Sequence, residues 1–224
     1  NDLDGRTSGA IDASSINTLS GSAADLITAY DSGGITGLGN ETVNVNSGSA
    51  STSQANALAA DTSGVVTATI SDGDMATLAG LTETGNAYTI TITDNSVAAA
   101  ALNTLDGKTS VAINASNITT LSGAAADLNT AYASSGLSGL NNEAITLTDS
   151  SLAASVLNTL DGNTSGSINA NSINTLTGTA ADLITAYASG GINGLGNEAV
   201  NVNSGTASTS QANTLSAATS SVVT

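Results

Sequence analysis

Short segments in which apolar and polar residues alternate recur along the chain, the pattern of a strand with one buried face. Eight stand out: 10–14, 42–46, 67–71, 89–93, 112–116, 144–148, 167–171 and 199–203. They begin 22 to 25 residues apart, or 32 apart where an insert intervenes. Alternation turns Val43, Val45, Ile70, Ile90, Ile92, Ile113, Ile145, Leu147, Ile168, Val200 and Val202 inward. It turns a polar set outward: Thr67, Thr69, Thr89, Thr91, Thr93, Thr146, Thr148, Asn201 and Asn203, with Asn44, Asn46, Asn169 and Asn171.

Between the strands the apolar spacing changes to that of a helix. In 95–105, Val97, Ala101 and Leu105 fall on one face at i, i+4 and i+8. Asn95 or Ser96 is suited to cap that helix and Gly107 to end it. Ser22 to Asp25 and Thr179 to Asp182 read as capping boxes opening helices that run through Tyr30 and Tyr187. Ala124 holds the cap position in a third copy and predicts a weaker start there. One strand, a tight turn, two or three helical turns and a Gly/Ser/Thr return loop use about 22 residues, within the range of strand-plus-helix repeats. The expected fold is an α/β solenoid of stacked coils, each with one short parallel strand and a short helix. In the 32-residue intervals, 34–41 and its copies are expected to be an added loop. The alternative is an all-β right-handed parallel β-helix, with the Ala-rich stretches as wall strands.

A longer repeat contains the short one. Residues 3–67 return as 160–224 with roughly four positions in five identical, and a more diverged copy begins at Leu105-Asp106-Gly107. Neither end carries the polar cap that repeat arrays use for solubility. Residues 1–224 are therefore expected to be a single continuous repeat solenoid, an excerpt of a longer array.

Composition narrows the picture. Phe, Trp, Pro, Cys and His are absent and there are four Tyr, so the core is thin and made of small side chains. Two basic residues face 18 acidic ones, for a formal charge of −16. Such a chain does not neutralise phosphates, which argues against nucleic acid and anionic membrane surfaces as partners. No apolar run approaches the ~20 residues of a membrane-spanning helix, so no membrane insertion is expected. The regular aliphatic spacing separates the chain from a disordered linker, despite only 9% charged residues.

The same composition limits chemistry. Without His or Cys there is no Ser-His-Asp or Cys-His arrangement and no zinc site built on nitrogen and sulfur. The run from Gly107 to Ser110 looks like the end of a phosphate-binding loop, but Leu102 stands where that loop requires Gly. Arg6 and Asn163 replace Lys108 in the repeat copies, and the match is read as chance. Acids recur as ladders: Asp4, Asp106 and Asp161; Asp25, Asp127 and Asp182; Glu41, Glu143 and Glu198. A catalytic pair needs a unique setting that drives two pKa values apart, whereas a repeated acid is a turn or cap residue. The chain is therefore expected not to be an enzyme, and no catalytic, cofactor-binding or metal-ligating residue is assigned. Calcium on turn carboxylates is the one cofactor considered, although neither an EF-hand loop nor the Gly-Gly-x-Gly-x-Asp nonapeptide is present.

Residues 157–166 (LNTLDGNTSG), 125–136 (AADLNTAYASSG) and 194–198 (GLGNE) resemble the repeats of giant cell-surface proteins of marine cyanobacteria. The resemblance covers nearly the whole chain. It implies a surface, motility-associated or filament-forming component and transfers no binding residue. The expected function is an extracellular structural repeat protein, secreted or at the cell surface, forming a stalk, coat or filament element. Its expected partners are copies of itself or neighbouring repeats, end to end and side by side. The alternative is a glycan- or ice-binding adhesion module, with surface polysaccharide as partner. Either use places lateral contact on the outward strand face: Thr67, Thr69, Thr89, Thr91, Thr93, Thr146, Thr148, Asn201 and Asn203.

Overall fold

The computed structural model describes the backbone of residues 1–224 and every side chain except that of Ser204. The chain runs β1 (Ile11–Asp12), β2 (Thr18–Gly21), α1 (Ala23–Asp31), β3 (Ile35–Thr36), β4 (Thr42–Val45), α2 (Thr52–Asp61), β5 (Val66–Thr69), α3 (Met75–Leu78) and β6 (Ala87–Thr89). It continues with β7 (Ser96–Ala98), α4 (Ala99–Asp106), β8 (Ile113–Asn114), β9 (Thr120–Gly123), α5 (Ala125–Ala133), β10 (Leu137–Ser138), β11 (Ala144–Leu147), β12 (Ser151–Ala153) and α6 (Ala154–Asn163). It closes with β13 (Ile168–Asn169), β14 (Thr175–Thr179), α7 (Ala180–Ala188), β15 (Ile192–Asn193), β16 (Ala199–Ser204) and α8 (Thr209–Ala218). Two compact units form: residues 1–94 with 104–115, and residues 95–103 with 116–224.

In the second unit, β15, β13, β11, β9 and β7 make one parallel sheet, and β12, β14 and β16 make another. Register partners place Val97, Leu121, Ile145, Ile168 and Ile192 in one line, and all five are buried. Leu152, Leu176 and Val200 make a second line. A repeat of about two dozen residues brings like side chains into register because a parallel ladder repeats residue for residue. In the first unit, β2, β4, β5 and β6 form a parallel sheet that aligns Leu19, Val43 and Val66 and sets Ala68 against Tyr88. A separate pair, β1 and β3, sets Ile11 against Ile35.

That last pairing changes the expected coil. Residues 34–41 are not an added loop, because Ile35–Thr36 is a strand one coil after Ile11–Asp12, and Ile192–Asn193 stands in the same relation to Ile168–Asn169. The 32-residue spacing arises because 10–14 and 42–46 are not successive rungs of one ladder. The partner of Ile11 is Ile35, and the partner of Val43 on its preceding side is Leu19. A two-residue strand between Gly34 and Gly37 shows no alternation, which is why it reads as a loop. Coils such as β1-β2-α1 and β13-β14-α7 therefore carry two short strands rather than one.

The Ala-rich stretches are helices, not wall strands. α1, α5 and α7 bury equivalent residues on one stripe: Ala23, Leu26 and Ala29; Ala125, Leu128 and Ala131; Ala180, Leu183 and Ala186. The chain is thus α/β, with short parallel strands alternating with helices, and is compatible with a solenoid-like repeat. Each fully buried Leu contributes about 1.5–3 kcal/mol, so the single central Leu on each stripe sets how firmly its helix docks.

Local chemistry opens these helices. Ser22 and Thr179 accept hydrogen bonds from the Asp25 and Asp182 N–H groups at 3.2 and 3.1 Å. Ser51 and Ser208 form full capping boxes with Gln54 and Gln211. α5 begins after Ala124, which supplies no cap, yet it forms at the same length as α1 and α7. There the Asp149 carboxylate, one coil later, accepts from the Ala125 N–H at 2.8 Å. Asp72 and Asp94 do the same for the Thr52 and Met75 N–H groups, each at 2.6 Å.

Candidate contact face and buried carboxylates

All nine residues of the predicted contact face are exposed. In the first unit Thr69 and Thr89 are register partners, and Thr67 sits beside Asn44. Thr91 lies beyond the end of β6 and bridges to Asn114, while the Thr93 N–H donates to the Gly73 carbonyl at 2.8 Å. In the second unit Thr146 occupies a row with Ala98, Ser122, Asn169 and Asn193. Asn201 lies on the three-stranded sheet, in a row with Ala153 and Thr177. Thr148 follows Thr146 two positions on and so faces the same way by strand alternation, whereas the register of β14 and β16 shifts between Val202 and Ser204 and leaves Asn203 as the extra residue. The nine residues divide between the two units and, in the second, between two sheets.

Sequence reasoning missed Ser122, Thr177 and Asn193 as members of these rows. Asn193 was hidden in the supposed loop, whereas Thr120–Gly123 and Thr175–Thr179 lie between the segments recognised by alternation. The five-membered row carries no charge and presents methyl, hydroxyl and amide groups at the strand spacing of about 4.8 Å.

The ladder acids divide into two structural roles. Asp25 and Asp182 each accept from the hydroxyl of their own cap residue, Ser22 and Thr179, at 2.7 Å. Asp4 and Asp161 accept from Ser32 and Ser189, 28 residues on, at 2.6 and 2.7 Å. These contacts brace caps and neighbouring coils.

Glu41, Glu143 and Glu198 are different, since each is at most 1% exposed. The Tyr30, Tyr132 and Tyr187 hydroxyls donate to these carboxylates, the middle pair at 2.8 Å. Backbone N–H groups of the preceding turn complete the shell: Gly39 at 2.9 Å and Asn40 at 3.2 Å, Asn141 at 3.2 Å, and Gly196 at 2.9 Å with Asn197 at 3.1 Å. The carbonyls of the same three Glu accept from the Thr62, Thr164 and Thr219 hydroxyls at 2.7, 3.0 and 2.7 Å. Each Glu thus ties the end of a helix, its own turn and the following coil together.

The electrostatics follow from this shell. Burial pushes the Glu41 carboxyl up, but donation from Tyr30, Gly39 and Asn40 outweighs it and holds the group below its ordinary range. Burial, then the adjoining carboxylate, pushes the Tyr30 and Tyr187 phenols well above theirs. Tyr132 is raised first by burial, with Glu143 adding to the shift and Thr164 opposing it. Burial raises Tyr88 to about 12, with Glu83 adding to the shift.

Among the described residues no three His, Cys, Asp or Glu side chains gather as a metal-holding group. Nor is any helix among them long and apolar enough to cross a membrane. No protein-family model matches the chain, and neither a curated protein nor a solved structure matches it.

Proposed function

We propose that this chain is a segment of an extracellular structural repeat protein: a solenoid serving as a stalk, coat or filament element at a cell surface, without a catalytic role. The observation that carries the reading is where the polar side chains are spent. Asp72, Asp94 and Asp149 cap helices of the preceding coil, and Thr62, Thr164 and Thr219 clasp the preceding Glu carbonyls. Asn103 and Asn158 reach the next helix, donating to the Asp127 and Asp182 carbonyls at 2.9 Å. Chemistry that is spent on propagating a stack suits a protein whose work is length and spacing. Immunogold labelling of intact source cells tests this. Label distributed over the outer surface supports the reading, and label seen only after the cells are opened refutes it.

A second reading, adhesion to a glycan or to ice, draws support from the uncharged row through Thr146. Replacing Thr146 with Tyr would then abolish binding to the adhesive target while the melting temperature stays unchanged. Unaltered binding would remove this reading.

A further inference from the structure

An oxidising equivalent that reaches this chain has few places to go. Cys, Trp and His are absent, and the readily oxidised side chains that remain are four Tyr and one Met. Met75 reacts by oxygen transfer to its sulfoxide, so loss of a single electron falls to tyrosine. A tyrosine that loses an electron becomes a strongly acidic radical cation, and its phenol proton then needs a base.

Three of the four tyrosines have that base in place. The Tyr30, Tyr132 and Tyr187 hydroxyls already donate to the carboxylates of Glu41, Glu143 and Glu198. Burial, with the adjoining carboxylate adding to it, raises all three phenols, so each is protonated at neutral pH and must give up a proton on oxidation. The three Tyr are half-buried, within reach of an oxidant in solution, whereas the three Glu are buried. A proton passed inward is thus held beside the oxygen it left. Tyr88 is the contrast, since it is 1% exposed and its hydroxyl faces the Ala55 carbonyl at 3.4 Å, a group that takes up no proton.

We infer that the Tyr–Glu clasps are redox-active sites at which the chain gives single electrons to an outer-sphere one-electron oxidant. In the step, one electron leaves the Tyr ring for the oxidant. The phenol O–H bond breaks as its proton moves along the existing hydrogen bond, and an O–H bond forms on the Glu carboxylate. The products are a neutral tyrosyl radical, a neutral carboxylic acid and the reduced oxidant. The buried site passes from one negative charge to none, a change that a low-dielectric setting favours because burial penalises the charged form. A reductant that returns the electron draws the proton back, so the site is reset without loss of atoms. This activity needs only the clasp and does not depend on the structural-repeat reading.

Oxidation of the whole chain by photogenerated tris(bipyridine)ruthenium(III) tests it. The radical is followed by transient absorption and placed by mass spectrometry of its adduct with a nitroso spin trap. Adducts are expected on Tyr30, Tyr132 and Tyr187. At neutral pH the rate should not respond to buffer-base concentration, because the base is internal, whereas that of free N-acetyltyrosinamide should. Glu143→Gln keeps a hydrogen-bond acceptor but removes the base. It should lower the Tyr132 adduct by about tenfold or more while the Tyr30 and Tyr187 adducts of the same molecules stay unchanged. Should that variant fold poorly by circular dichroism, Glu41→Gln makes the same comparison at Tyr30. Absence of tyrosyl radical, a rate that rises with buffer base as the free amide's does, or an adduct that a folded Glu→Gln variant leaves unchanged overturns the inference. A clasp that is only structural gives those outcomes.

Discussion

The Asp149 carboxylate accepts a hydrogen bond from the Ala125 N–H at 2.8 Å, capping a helix that its own sequence leaves uncapped. The two other copies carry Ser22 and Thr179 at the position of Ala124, with Ser47 and Ser204 at the position of Asp149. The cap has moved from the helix's own coil to the next one. Asp149→Ala should therefore destabilise the second unit by about 1 kcal/mol, the usual worth of an N-cap. Ala124→Ser should recover most of the loss in the Asp149→Ala background and add little in wild type. Urea melts of the four chains measure the coupling, and additive effects would show that the two positions act independently.

Much of this arrangement was legible in the sequence. The inward set from Val43 to Val200, the helices opened by Ser22 and Thr179, and the α/β character follow from alternation, helical spacing and capping chemistry, whereas Val202, also expected inward, is only half-buried. Two things were not legible. Ile35–Thr36 and Ile192–Asn193 are too short to display a period, so the coil length was misjudged and Asn193 went unseen on the outward row. The Asp149 cap acts between coils, and only a known register reveals a contact 24 residues away.

The Tyr–Glu clasps predict a graded cost. Tyr132→Phe removes the 2.8 Å bond to Glu143 but leaves the Asn141 N–H in place, and should cost about 1–2 kcal/mol. Glu143→Ala removes the acceptor for both the hydroxyl and the N–H and should cost about 3 kcal/mol or more, since buried donors are left unpaired. Equal costs in denaturant melts would mean that the carboxylate contributes nothing beyond its Tyr.

The same clasps set a pH window. The Glu41 carboxyl is held below its ordinary pKa of 4.5, so its stabilisation is complete above that value and is lost as pH falls through the lower folded value. Tyr88, which lies outside the clasps and whose phenol burial raises, works in the opposite direction. Its contribution is complete below pH 10.0 and is lost as pH rises toward about 12. Stability should hence be flat across neutral pH and fall at both extremes, and Glu41→Gln should flatten the acid limb. Thermal melts across pH, with phenolate absorbance on the basic side, give the test. Tyrosines that ionise at their ordinary pKa in the folded protein would contradict it.

Gly166 marks a close approach. A Cβ there would lie 2.1 Å from the Glu143 carbonyl oxygen, the same atom that Thr164 clasps. Gly166→Ala should cost about 2–3 kcal/mol, because a backbone atom cannot yield as a flexible side chain does. Gly190→Ala, with nothing within 4 Å, should change stability by under about 0.5 kcal/mol. Matching melting temperatures for the two variants would place the coil contact elsewhere.

The most direct test of the central claim is cryo-electron imaging of envelope material from the source cells, with and without a calcium chelator. The stacked-coil account predicts labelled threads with a strand-spacing repeat of about 4.8 Å along their length, intact in chelator because the hydrogen-bonded caps and clasps between coils need no ion to form. Label on globular particles without that repeat, or threads that fall apart on chelation, would contradict it.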